Sequence, residues 1–239
     1  MNVVAILQAR LGSTRLPGKV LMPLGGKPML QQIIARVQRA TSIHKIVVSF
    51  PRTDMAIEQC IQSMWTKHTD GLVSCEPRDP RLCQWWGDPN DLVGRYLEAA
   101  TLYDADLVVR IPCDNPCVDP IYIDQAVQSY LNGCYPFYTN TTALTTNYVA
   151  VDGIGCEVFS YNRLQWLDRI TKGNPIWREH PHQWFFAHKL VSLPKADVKL
   201  DVNTQEEYEY LVDIYHHVPS NFTTEDVLTY LRTKETPHG

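Results

Sequence analysis

Acidic side chains are missing from the first 53 residues of this 239-residue chain; the first is Asp54. Eight basic residues precede it, and the remainder carries 14 basic against 26 acidic. The overall charge of −4 therefore conceals a basic amino-terminal portion, too local for the broad basic face that general nucleic-acid binding needs. The seven cysteines form no C-x-x-C pair and are odd in number, which argues against a disulfide framework and a structural zinc site. No apolar run approaches the roughly 18 residues that span a bilayer. The amino terminus shows neither the charged start nor the small-residue cleavage site of a signal peptide, so a cytoplasmic protein with reduced thiols and no membrane partner is expected. Both common glycine-rich nucleotide fingerprints are absent: G-x-G-x-x-G does not occur, and Lys19 is followed by Val20, which breaks G-x-x-x-x-G-K-[ST]. Repeats and low-complexity tracts are missing too, and 44% hydrophobic content suits one domain over 1–239.

What the amino terminus does have is a strand and a cationic loop. Val3 to Leu7 is an unbroken apolar run, the pattern of a strand buried on both faces of a parallel sheet. Behind it, residues 8–19 place Arg10, Arg15 and Lys19 beside Gly12 and Gly18. Glycine lets backbone amides approach a ligand, and fixed cations hold phosphate. Because ligands of open α/β sheets sit at the carboxyl edge of the strands, the loop predicts a polyphosphate site. Arg36, Arg39, Lys45 and Arg52 are expected only to solvate surfaces.

Met29, Leu30, Ile33, Ile34, Val37 and Ala40 recur at helical spacing, with Gln31, Gln32, Arg36 and Arg39 outside that face and Pro28 at its first turn. Lys45 to Phe50 reads as a second strand, and Thr53 as the cap of a helix through about Met64. This is the β-α-β-α opening of a doubly wound, mostly parallel sheet. A third strand is expected at Leu72–Ser74 or Leu82–Trp86, then a helix capped by Asn90 or Asp91. Asp106 to Ile111 is a further strand that runs into Pro112, Cys113 and Asp114. It brings a carboxylate to the edge that carries the cationic loop, where it can hold Mg²⁺ against a triphosphate. Asp119 is expected to cap the next helix, with Pro120 in its first turn. Residues from 135 onward read as strands and turns leaving the main sheet, with strands at Ala187–Leu193 and Val198–Leu200. Thr204 opens a capping box with Glu207, and helices over Gln205–His217 and Thr224–Arg232 close the chain.

These segments resemble the cytidylyltransferases that activate sugars for cell-surface polysaccharides, first the spore-coat polysaccharide biosynthesis type and next the KDO and acylneuraminate cytidylyltransferases. Residues 8–19 look like their signature. Asp91 to Ala100 is similar to D-V-L-x-R-Y-x-E-A-A, Arg110 to Pro120 to R-I-x-G-D-x-P-x-x-D-P, and Gly153 to Ser160 to G-x-D-x-E-V-F-S. Arg178-Glu179-His180 matches R-E-H, and Leu200 to Glu207 approximates L-x-V-D-T-x-E-D. The resemblance implies an α/β, Rossmann-like sheet of the nucleotide-diphospho-sugar transferase type. A small β-containing excursion over 135–195 would serve acceptor binding and dimerisation. The implied activity is Mg²⁺-dependent transfer of CMP from CTP to a sugar acid or other small acceptor, with release of pyrophosphate, by a homodimer.

Carried over residue by residue, Arg10, Arg15, Lys19 and Asp114 become catalytic. Gln8, Ala9, Leu11, Gly12, Ser13, Lys27, Asp91, Arg95 and Pro112 become nucleotide-binding. Asp114 and Asp201 become metal ligands, with Asn203 the fallback for Asp201, while Glu157, Arg178 and His180 face the acceptor. Cys113, Asn115, Gly155 and Asn203 depart from the family pattern, and the missing aspartate at Gly155 suggests an uncommon acceptor. The same residues leave three alternatives open: another nucleoside triphosphate, a glycosyltransferase that consumes a nucleotide sugar, or a silent relative that only binds nucleotide.

Overall fold

A computed structural model describes residues 1–67, 75–77, 79–133, 137–139, 150–179, 189–190 and 193–235. A seven-stranded sheet runs through it. Its strands are β1 (Val3–Gln8), β2 (Lys45–Pro51), β3 (Leu82–Gly87), β4 (Leu107–Pro112), β5 (Phe137–Thr139), β6 (Glu157–Ser160) and β7 (Lys189–Leu190), in the spatial order β7-β5-β6-β4-β1-β2-β3. The four strands β4, β1, β2 and β3 are mutually parallel, whereas β6 runs antiparallel to both β4 and β5.

The unbroken apolar run of β1 has a direct cause, since helices cover both faces of the sheet. Val4 and Ile6 pack with α3 (Leu92–Leu102) and α5 (Tyr161–Thr171). Ala5 and Leu7 point the other way, into a core shared with α1 (Met29–Val37), α2 (Met55–Gln62), α4 (Pro120–Leu131), α7 (Gln205–His217) and α8 (Thr224–Glu235). From β1 the chain builds β2 and β3 on one side, then returns to lay β4 on the other. Strand order therefore reverses between β1 and β4, the place where open α/β sheets leave a crevice. Gln8 and Pro112 end these two strands in register, and the Cys113 N–H donates to the Gln8 carbonyl at 3.2 Å. The loops after β1 and β4 thus open into one crevice.

Local signals set most boundaries. Asp119 caps α4 by accepting from the Ile121 N–H at 3.0 Å, with Pro120 behind it. Thr204 and Glu207 form the reciprocal capping box of α7. Asp91, rather than Asn90, caps α3. Other expectations need correction. Asp54, not Thr53, occupies the N-cap of α2. The third strand is Leu82–Gly87, while 72–74 lie outside the described residues. Strands β5 and β6 extend the main sheet rather than leaving it. Of the strand expected over Ala187–Leu193, Lys189–Leu190 is described, and the one at Val198–Leu200 reduces to a single bridge between Asp152 and Lys199. Arg36 is only 4% exposed: its guanidinium stacks 3.9 Å over Phe222 and donates to the carbonyls of Val118 and Phe222, because α8 and the turn before it close over that side of α1. None of the described helices is long and apolar enough to cross a membrane.

Candidate active site

The cationic loop is folded on itself. Gly18 adopts φ +70°, which glycine reaches without a Cβ penalty, and its N–H donates to the Leu11 carbonyl at 3.0 Å. This turn delivers Lys19 into a short 3₁₀ segment, Lys19–Leu21, whose first side chain is buried. Among the described residues, a Cβ on Gly12 would meet nothing within 4 Å, which leaves its backbone open to a ligand.

The sequence shows no acid in this loop, yet the fold brings partners to it from far away. Arg10 Nη1 lies 3.2 Å from Glu179 Oε1 of the short helix α6 (Pro175–Glu179), and the Leu11 N–H donates to Asp54 Oδ2 at 2.8 Å. Arg15 Nη2 donates to Asn203 Oδ1 at 2.8 Å. Lys19 Nζ donates to three oxygens: Asp114 Oδ2 at 3.1 Å, the Val202 carbonyl at 2.5 Å and Asn203 Oδ1 at 3.2 Å. Glu179, Asp54 and the Val202 carbonyl are contributors that sequence reasoning missed.

Two cavities of about 270 Å³ each meet at Gln8 and Arg10. The first is lined by Ser13, Thr14, Arg15, Lys19, Arg110, Pro112, Cys113, Asp114 and Asn203. The second is lined by Pro89, Asn90, Leu92, Arg95, Pro175, Ile176 and Glu179. Arg95 is 2% exposed, and its Nε and Nη1 are buried without a hydrogen-bond partner among the described residues. Unpaired buried donors are costly, so a group with acceptor atoms suits this cavity. Cys113 faces the first cavity as a neutral thiol, since burial pushes its pKa well up.

Asp201 follows the Asp152–Lys199 bridge. Burial raises its pKa, with Asp152, Asp114 and Glu207 adding to the effect and Lys199 opposing it. Its Oδ2 accepts from Asn203 Nδ2, while its buried Oδ1 has no hydrogen-bond partner among the described residues and is ion-paired with Lys199 Nζ at 3.5 Å. No group of three His, Cys, Asp or Glu side chains that could hold a metal occurs among the described residues. Mg²⁺ does not need one, because it is commonly held by one or two carboxylates together with substrate phosphates. Asp114 and the amide oxygen of Asn203, which line the first cavity, are hard oxygen donors that fit it, whereas Asp201, paired with Lys199, lines neither cavity.

Several residues assigned by resemblance have other partners. Asp91 accepts from the Gly94 N–H and receives Arg178 at 2.7 and 2.9 Å, so both its oxygens are engaged within the protein. Arg178 also reaches Asp168 at 2.8 Å and fastens α6 to α3 and α5. Glu157 is 2% exposed beneath the crevice and pairs with Arg110, whose place in an otherwise apolar strand was the one visible signal of a buried ion pair. Lys27 is exposed in a hairpin outside both cavities. Ala9 is buried and bonded through its N–H to the Ser49 carbonyl. His180 lies outside the described residues.

A parallel sheet with a cationic loop and an acidic loop at its switch point suits an enzyme that handles a nucleoside triphosphate. Residues 4–67 match the cytidylyltransferase family model. Over 226 residues the chain is 25% identical to the spore coat polysaccharide biosynthesis protein SpsF of Bacillus subtilis, covering 90% of this chain and 86% of that one. It is 33% identical over 131 residues to the 3-deoxy-manno-octulosonate cytidylyltransferase of Trichlorobacter lovleyi, an alignment that covers 55% of this chain and 46% of that protein. A cytidylyltransferase structure from Leptospira borgpetersenii superposes with a TM-score of 0.80 at 26% identity, over 98% of this chain and 95% of that one. The chain is therefore a homologue of the spore-coat protein and of the octulosonate cytidylyltransferases, with the nucleotide-diphospho-sugar transferase fold.

Proposed function

We propose that this protein transfers CMP from CTP to a sugar acid, with Mg²⁺ bound and pyrophosphate released. The observation that carries this reading is the meeting of Arg15, Lys19, Asp114 and Asn203 in one cavity at the β1/β4 switch point. Transfer of this kind asks for positioning and charge neutralisation rather than a covalent nucleophile. The triphosphate lies along residues 8–19, with Arg10, Arg15 and Lys19 offsetting charge on the α-phosphate and the departing pyrophosphate. The nucleoside enters the second cavity, where the unpaired Arg95 nitrogens donate to its acceptor atoms. Asp114 and Asn203, with Asp201 beside them, would hold Mg²⁺, which supplies charge neutralisation at the phosphates when bound. An acceptor oxygen attacks the α-phosphorus as the bond to the bridging oxygen of pyrophosphate breaks. The same reading makes the protein a cytoplasmic homodimer.

The test is pyrophosphate release from each of the four nucleoside triphosphates with Mg²⁺, across a panel of sugar acids that includes 3-deoxy-manno-octulosonate. The expected result is acceptor-dependent release with CTP. Release with another triphosphate instead, sugar transfer from a nucleotide sugar, or no thermal stabilisation by CTP would overturn it.

A further inference from the structure

An ammonium occupies oxygens that a divalent ion would need. Lys19 Nζ has three N–H donors, and Asp114 Oδ2, the Val202 carbonyl and Asn203 Oδ1 take them at 3.1, 2.5 and 3.2 Å. All three are hard oxygen donors of the kind Mg²⁺ selects. The Lys19 side chain is only 10% exposed, so it is seated in the crevice rather than lying across its mouth. Two positive centres cannot share such a partly buried cradle without strong repulsion, which water screens poorly there. The other loop cations are similarly engaged, Arg10 by Glu179 and Arg15 by Asn203. A triphosphate would offer each of them a more highly charged partner than Glu179 or the neutral Asn203 amide.

We propose that Lys19 is a placeholder for the metal. Its ammonium keeps divalent ions off the Asp114 and Asn203 oxygens until a triphosphate draws it away, so that metal and nucleotide binding are coupled through one side chain. The proposal rests on the nucleotide reading above and adds an order of events: the protein alone binds metal weakly.

The probe is Mn²⁺ without nucleotide, titrated into the full chain and followed by electron paramagnetic resonance. Lys19→Met should bind Mn²⁺ at least about tenfold more tightly than the wild type, since it removes the competing charge and keeps the hydrocarbon. Adding Asp114→Asn should abolish that gain. Equal or weaker Mn²⁺ binding by Lys19→Met, or a gain that survives Asp114→Asn, overturns the proposal. If a thermal melt shows that Lys19→Met does not fold, Lys19→Gln, which retains a donor for the Val202 carbonyl, takes its place under the same criteria. CTP-dependent thermal stabilisation of the wild type is measured in parallel. Its absence would remove the nucleotide reading, whereas normal stabilisation without the Mn²⁺ gain would remove the placeholder alone.

Discussion

Glu157 faces Arg110 across the antiparallel pair of β6 and β4, and its Oε1 accepts from Arg110 Nη1 at 2.8 Å. From the same guanidinium, Nη2 reaches Gln8 Oε1 at 3.4 Å, and the Tyr96 hydroxyl donates to that oxygen from the other direction at 3.5 Å. This buried ion pair therefore forms the floor on which the junction of the two cavities rests. Glu157→Ala would leave the Arg110 charge buried and unpaired, so a loss of about 3–5 kcal/mol is expected, read by urea denaturation. Replacing both partners by apolar residues, Arg110→Met with Glu157→Leu, should cost much less. A single variant no worse than the double would show that the pair is not fully desolvated.

Asp114→Asn should leave the melting temperature close to that of the wild type while turnover falls by roughly 10²-fold or more, because a neutral amide is a poor Mg²⁺ ligand. Pyrophosphate release at saturating Mg²⁺ is the measurement. A near-normal rate there would return Asp114 to the role of a partner for Lys19.

Gly153 adopts φ +82°, and a Cβ built on it would lie 2.5 Å from the Leu200 carbonyl carbon and 2.6 Å from the Asp201 nitrogen. The strain and the clash act together, so Gly153→Ala should destabilise the fold by more than about 1 kcal/mol. It should also raise the Mg²⁺ concentration needed for half-maximal rate, since the displaced backbone carries Asp201. A variant with lowered stability and unchanged Mg²⁺ dependence would separate Asp201 from the metal.

Stability should register Asp201 through pH. Burial and the neighbouring carboxylates raise its folded pKa above the unfolded value of about 4. The folded state thus holds this proton more tightly. The resulting stabilisation is fully present below the unfolded pKa and is lost as pH rises through the folded one. Asp201→Asn cannot ionise, so its melting temperature relative to the wild type should climb across that acidic window and then level off, measured without divalent ions. A difference independent of pH would place the Asp201 carboxyl in water.

Much of the fold was legible because its signals are local. The apolar run of β1, Pro120 behind Asp119 and the Thr204–Glu207 box each act within a few residues, and the structure contains all three. The cationic loop and Asp114 were legible for a related reason: each follows a strand that reads as buried, and parallel strands end at a common edge. Glu179 beside Arg10 is different, since 169 residues separate them and neither neighbourhood hints at the other. The engagement of Asp91 by Arg178 and the burial of Arg36 against Phe222 are of the same kind.

The sequence by itself determined the buried strands β1, β2 and β4, the caps at Asp119 and Thr204 and the placement of opposite charge at one edge of the sheet, because backbone preference and apolar periodicity are properties of short segments. Tertiary structure alone decided which cation meets which anion, and that Lys19 rests among the Asp114, Val202 and Asn203 oxygens, because electrostatic partnership depends on distance in space, which the order of residues along the chain does not record.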